Sequence, residues 1–348
     1  MAKLFKKGRA LEKMSEHITD QLKNELSGAS DVLSEEEMKT VDPKLFNFAK
    51  YDDANAERTG YSNYSYWKST FRAFWNNKLA RVLLITLAFL ILFTIVQPIL
   101  PGQKDPTQIF DDTNGLPVRN EGPCKEFWFG TNDVGQDLWA RVWAGTRTSL
   151  FLAFVVAVCN CVIGITIGVV WGYVRKLETL FTELYNIVDN IPRTIILILI
   201  SYILRPGMGT MIISMVCVGW LGMARFIRNQ ILMIRDSDYN LASRCLGTGT
   251  GKIMLKNLLP YLVSVIMLQT ALAIPGVISD EVFLTYCGLG MPKATASLGN
   301  LVESGRKMMM TSSSYQLIFP ALVVTFITVA FYLIGNTFAD ASDPRNHV

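Results

Sequence analysis

Four stretches of this sequence, residues 82–100, 150–174, 258–279 and 315–338, contain no charged residue. An α-helix needs about 20 apolar residues to cross the hydrocarbon of a bilayer. Backbone polar groups there must be satisfied within the segment itself, so each run is predicted to be a membrane helix. Two weaker runs join them: 208–224, which Phe226 and Ile227 extend, and 184–204, interrupted only by Asp189 and Arg193. Six spans in an all-α integral membrane protein are therefore expected. Charged residues make up 18% of the chain, against about a quarter in soluble domains.

Lys and Arg concentrate in 1–81, 175–183, 225–257 and 339–348. Such residues accumulate on the cytoplasmic side, so both termini are expected inside. The start, MAKLFKKGRA, is charged and no apolar run follows before Val82. The first span is thus the expected insertion signal, without a cleaved leader.

Residues 1–65 read as a polar cytoplasmic extension with a capping box at Ser34–Glu37. Over 66–81, Trp67, Phe71, Phe74 and Trp75 share a helical face, edged by Lys68, Arg72, Lys78 and Arg81. That pattern predicts a helix lying in the membrane interface. The stretch 101–149 reads as a large extracytoplasmic loop folded into a cap. Its acids Asp133 and Asp137 have no His or metal-ligand companion. The only histidines are His17 and His347, and the six cysteines lack metal or disulfide spacing. Most metal and triad chemistry is thereby removed, and cysteines such as Cys159 and Cys161 read as small packing residues.

Intramembrane charges mark interior or water-lined positions. Asp189 and Arg193, four apart, are expected to neutralise each other on one helical face. Asp280 and Glu281 follow Pro275 and Gly276; they either mark the end of the fifth span or line an outer mouth.

The largest inner loop between spans, 225–257, contains YNLASRCLGTGTGKIMLKNLLP. Gly247, Gly249, Gly251 and Lys252 suggest a phosphate-binding loop. Leu246 and Ile253 stand where that loop needs glycine and a magnesium-ligating hydroxyl, so the nucleotide reading fails. Instead Gly247 reads as a helix stop, Thr250 as the cap of a second helix, and Pro260 as the entry to the fifth span. Lys252 becomes an inner-surface or partner-facing charge.

This arrangement resembles the EAA loop of bacterial ABC importer permeases. Ala242, Gly247 and Leu259-Pro260 keep its register, while Leu241, Ser243 and Asn257 depart from it. FGTNDVGQDLWARVWAGTRTSL resembles a segment of the C-type permease subunits of oligopeptide and dipeptide importers. Gly130, Thr131, Gly135, Asp137, Arg141, Gly145 and Arg147 match; Asn132 and Gln136 replace an Asp and an Arg. Glu281 with Cys287-Gly288-Leu289-Gly290, then Ser297, Gly299-Asn300, Gly305-Arg306 and Asp340-Ala341-x-Asp343-Pro344-Arg345 also fit, so the likeness covers about 66–346.

The resemblance implies the type I ABC importer permease fold in a bacterial plasma membrane, with a permease core over 150–338 and a tail over 339–348. It implies a B-type permease partner, two cytoplasmic ATP-binding subunits holding ATP and magnesium, and an extracytoplasmic peptide-binding protein. This chain would bind no cofactor, metal or nucleic acid and would not be an enzyme. Tyr239, Leu241, Ala242, Ser243, Leu246 and Gly247 would sit in an ATPase cleft, with Lys252, Leu259 and Pro260 on the segment that carries movement into the fifth span. Asp189, Arg193, Asp280 and Glu281 are the candidates for an outer gate or path, and Gly130, Thr131, Asp133, Gly135, Asp137, Arg141 and Arg147 form the extracytoplasmic motif. Oligopeptides are the expected substrate, with dipeptides, glutathione or nickel as alternatives within the family. An ion-gradient-driven secondary transporter is the rival from another class, but it would want paired mid-membrane acids and an inverted repeat, and no repeat is visible.

Overall fold

The computed structural model describes residues 66–342, with side chains from Thr70 to Ala341. The polar extension 1–65 with its Ser34–Glu37 capping box, the side chains of Trp67 and Lys68, and Asp343-Pro344-Arg345 lie outside the described residues.

The described chain is helical, with only isolated bridges such as Ile109 to Gln136 and Thr131 to Asp137 in its long loop. The helices are α1 (Tyr66–Asn76), α2 (Lys78–Val96), α3 (Leu138–Tyr173), α4 (Arg175–Asp189), α5 (Arg193–Leu204), α6 (Met208–Ile234), α7 (Asp238–Cys245), α8 (Thr250–Ile253), α9 (Leu259–Tyr286), α10 (Leu298–Lys307) and α11 (Tyr315–Ser342).

Five stretches are long and apolar enough to cross a membrane: Lys78–Ile99, Leu138–Tyr173, Met208–Ile234, Thr250–Tyr286 and Tyr315–Ala341. Counting α4 and α5 together as one broken span gives up to six, and their bend of 79° at residues 190–192 corrects the expectation of an unbroken helix over 184–204. Pro192 explains the bend, because it has no N–H for the helical ladder and its ring steers Ile191 away from helical geometry.

Helix ends also outrun the uncharged stretches, since caps rather than hydropathy set them. Asn77 separates α1 from α2, its Oδ1 accepting the N–H groups of Leu79 (3.0 Å) and Ala80 (3.3 Å). Asp137 caps α3 by accepting from Ala140 N–H at 3.0 Å. The loop therefore ends at Asp137, and 138–149 belongs to the helix. Of the aromatics of α1, Phe74 is buried edge-on against Phe338, whereas Phe71 and Trp75 stack on each other in the open.

The centre of the fold is the pairing of α3 with α6. Gly164, Gly168 and Gly172 form a stripe on α3 that lets it lie directly on Met223, Ala224, Ile227 and Ile231 of α6. Such small-residue stripes are how membrane helices approach closely, because lipid supplies no hydrophobic drive between them. One apolar core joins α3, α5, the start of α6 and the end of α9, including Leu152, Leu197, Met211 and Ile278. A second joins the far ends of α3 and α6 to α8 and α9 through Ile227, Ile231, Ile253, Leu258 and Leu262. Cys159 and Cys161 are half-buried, but Cys217, Cys245 and Cys287 are exposed and so are not packing residues in this chain.

Candidate functional site

Helix α7 stands at the end of the second core. Gly247 terminates it with φ +77°. Thr248 N–H donates to Ser243 O (3.0 Å) and Gly247 N–H to Arg244 O (2.9 Å), the paired closure of a left-handed C-terminal stop. One detail of the sequence reading is corrected: Gly249, extended at φ −62° and ψ 146°, holds the cap position of α8. Thr250 is the first helical residue and makes no side-chain cap.

From Thr250 the chain runs to Tyr286 as one rod. Its start contains a wide π-helical turn over Met254–Leu258, closed by Leu259 N–H donating to Met254 O. Pro260 lies just beyond, where its ring would press on the carbonyl four residues back in ordinary α winding. The wide turn relieves that clash.

Side chains lock α7 to its surroundings. Asn240 is fully buried; its Nδ2 donates to Ile234 O (2.9 Å) and Ser237 Oγ (3.2 Å). Asn257 Nδ2 reaches from the wide turn to both Asn240 Oδ1 and Ser243 Oγ, each at 3.3 Å. Ser243 and Asn257, two departures from the EAA pattern, thus touch each other. On the other side Arg244 donates to Arg235 O (2.7 Å), Tyr173 Oη (3.2 Å) and Asp236 (3.4 Å). Arg235 in turn donates to Gly172 O (2.9 Å) and pairs with Glu178 (3.3 Å) and Asp236 (3.1 Å). Partial burial disfavours the Asp236 charge, yet the hydrogen bond and charge of Arg235, then Arg175 and Arg244, hold its carboxyl below the usual range. What remains outside is an open surface: Tyr239, Leu241, Ala242, Leu246, Gly247 and Lys252 are all exposed.

The loop between α2 and α3 is a tied cap. Asn132 Oδ1 accepts the N–H groups of Val134 (3.1 Å) and Gln136 (2.8 Å), and its Nδ2 donates to Gln136 Oε1 at 3.0 Å. Asn132 and Gln136, the two replacements in this motif, form a neutral pair. Arg141 extends the chain of contacts to Gln136 Oε1 (2.6 Å), Pro106 O and Lys293 O (both 3.2 Å). Arg147 donates to Thr94 O on α2 at 3.0 Å. Gly130 (φ +78°) and Gly135 (φ +96°) make the tight turns, Thr131 is buried, and Asp133 points to solvent. Tyr315 Oη donates to Glu121 O (2.7 Å) and Thr131 O (3.0 Å), clamping the cap onto α11. Burial pushes the Asp137 carboxyl above its ordinary range, against the N–H bonds of the helix it caps and the Lys104 charge.

The intramembrane charges differ from the sequence reading. Asp189 and Arg193 do not neutralise each other, because the bend separates them. Asp189 instead pairs with Arg225 on α6 (3.6 Å), and Arg193 with Asp280 on α9 (2.5 Å). Nor do Asp280 and Glu281 end the fifth span, since α9 continues to Tyr286. Glu281 is fully buried and its Oε1 accepts Gly299 N–H at 3.3 Å, tying α9 to α10. Sequence reasoning missed Asn240, Arg235, Asp236, Arg244, Glu178 and Tyr315. An uncompensated Asn inside a short amphipathic helix was the available signal for Asn240; the others depend on partners distant in sequence.

Residues 164–348 match the family described as "Binding-protein-dependent transport system inner membrane component". Residues 65–123 match the "N-terminal TM domain of oligopeptide transport permease C". The chain is 38% identical to the oligopeptide transport system permease protein AmiD of Streptococcus pneumoniae, over 89% of this chain and 100% of that one. It is 32% identical to the oligopeptide transport system permease protein OppC of Bacillus subtilis, over 88% and 99% of the two chains. The dipeptide transport system permease protein DppC of the same organism is 31% identical over 91% and 97%.

Proposed function

Because the chain belongs to the family of binding-protein-dependent transport system inner membrane components, we propose that it forms half of the path of an ATP-driven oligopeptide importer and receives the ATPase stroke through α7. It is a multi-pass permease subunit of an ABC importer. Peptides are the substrate because the relatives that match nearly end to end are oligopeptide and dipeptide permeases. The companion subunits are a B-type permease, two cytoplasmic ATPases that hold ATP and magnesium, and an extracytoplasmic peptide-binding protein. Both termini lie in the cytoplasm, in keeping with the distribution of Lys and Arg.

The observation that carries the coupling role is an exposed short helix fixed at its base to three membrane elements. Asn240 and Asn257 tie α7 to the rod of α8 and α9, and Arg244 ties it to α3 and α6. When ATP binding draws the ATPases together, displacement of α7 turns the rod through one set of contacts and shifts α3 and α6 through the other.

Two substitutions test this in the assembled complex. Ala242→Arg places a long cation on an exposed position that the fold tolerates. Gly247→Val puts a β-branched residue at φ +77°, where a side chain costs about 1–2 kcal/mol or more. Both variants are expected to insert and assemble, yet to lose transport-coupled ATP hydrolysis. Unchanged hydrolysis and uptake in both would refute the assignment. The purified chain alone is expected to hydrolyse no ATP, as Leu246 and Ile253 occupy the positions a phosphate loop needs; turnover free of contaminating ATPase would contradict this.

A further inference from the structure

The bend between α4 and α5 carries two ion pairs of opposite polarity. On its α5 side Arg193 holds Asp280 of α9 at 2.5 Å. On its α4 side Asp189 meets Arg225 of α6 at 3.6 Å. Along the bent segment the signs therefore run minus then plus, and each is answered from a different helix. The second pair lies nearer α7, because α6 continues only about 14 Å from Arg225 to Ile234 at 1.5 Å per residue.

These charges are not sealed inside the chain. The side chains of Asp189, Arg225 and Arg193 are 56%, 55% and 48% exposed, and Asp280 is 18% exposed. Asn186, Asn190 and Thr194 are exposed beside them. Charges in a membrane span do not face lipid, so this strip faces water or another chain. Their exposed faces leave both carboxylates and both guanidinium groups room to meet a further charged group.

We propose that Arg193 and Asp280 form an exchange site for the two charged ends of a peptide, with Asp189 and Arg225 as a second stage nearer α7. The peptide carboxylate replaces Asp280 on the Arg193 guanidinium, and the peptide ammonium takes the freed Asp280 carboxylate. One pair becomes two and no charge is stranded, whereas an ion of single sign would leave one side chain unpaired. Reversed polarity at the next pair lets a peptide leave the first by the same exchange. Arg193 presents two N–H groups to a carboxylate, a geometry that a lysine cannot match.

The inference rests on the reading of the chain as a peptide permease. Its test uses the full importer complex in proteoliposomes, with one tripeptide supplied free, as its C-terminal amide and as its N-acetyl derivative. Each variant rate is divided by the wild-type rate for the same peptide, which cancels preferences of the binding protein. Arg193→Gln is expected to lower this ratio for the free tripeptide about tenfold more than for its amide, the loss of one charge-assisted contact. Asp280→Asn is expected to discriminate in the same way between the free and N-acetyl forms. The exchanged double variant Arg193→Asp with Asp280→Arg keeps an ion pair and the same two charges, so it reports even if the single changes impair assembly; it is expected to restore most of the ratio that the free peptide loses in either single variant, and a free-peptide ratio no better than theirs would count against the exchange. Equal losses for all three peptides would make the pair a structural tie only and overturn the proposal, as would no loss at all. A wild-type complex that takes up no peptide would instead refute the functional reading.

Discussion

Replacing Gly168 with alanine tests the contact on which the fold is centred. A Cβ at this position would lie 2.6 Å from the Ala224 carbonyl oxygen and 2.7 Å from Ile227 Cβ. Neither is the end of a flexible side chain, so relief requires α3 and α6 to separate along the glycine stripe. Overpacking of this kind costs about 1–3 kcal/mol. Alanine also gains up to about 1 kcal/mol over glycine inside a helix, which masks part of the loss. Gly222 provides the control, since it sits on the same α6 with nothing within 4 Å of a built Cβ. Gly222→Ala should show the propensity gain alone, so the two variants should differ by about 1–3 kcal/mol with Gly168→Ala the less stable. Unfolding of the purified chain by SDS in mixed micelles, followed by tryptophan fluorescence, measures the difference. Equal stability of the two variants would mean that the helices are not in backbone contact at Gly168.

At Asp137, Asn keeps the cap while Ala removes it, at about 0.5–2 kcal/mol. Because burial raises the native carboxyl above 3.8, the native state binds the proton more tightly, and stability falls as pH rises from there through the raised value. Asp137→Asn should flatten that slope and be at least as stable as wild type at neutral pH, in the same SDS titration. Asn240→Ala should strip a buried residue from Ile234 O, Ser237 and Asn257, at about 1–3 kcal/mol; amides of 238–258 should then exchange hydrogen faster, with the rest unchanged. Tyr315→Phe removes the hydroxyl that holds Glu121 O and Thr131 O, about 1 kcal/mol, and limited proteolysis should cut the 101–137 cap sooner.

The spans were legible because the bilayer demands a length and an absence of charge that little else in a sequence imitates. Gly247 was legible for a comparable reason: a left-handed stop has few residues that suit it. The third span was misread by weighting hydropathy over Pro192, and with it the partners of Asp189 and Arg193. Those partners lie on α6 and α9, and nothing near Asp189 in sequence points to Arg225. The start of α3 was misplaced because an uncharged run measures hydrocarbon, whereas Asp137 accepting from Ala140 N–H sets where winding begins. Chemistry that depends on one residue and its neighbours can be read along the chain. Pairings such as Asn257 with Ser243, or Tyr315 with Thr131, exist only once the helices are laid side by side.

The wide turn before Pro260 changes how the rod keeps count. Its first four buried side chains are Ile253, Leu258, Leu262 and Ile266, so the interval across the turn is five residues and the next two are four. An ordinary helix with that first interval would swing its far end to a different face. Here the looser winding absorbs one surplus residue and leaves both faces aligned. Deleting the exposed Lys256 together with Pro260→Ala would convert the segment to uniform winding while preserving the stripe. A single-residue deletion elsewhere in α9 would rotate everything beyond it out of register. The turn is thus a place along this rod where the chain could lose a residue and still present the same helix to its neighbours.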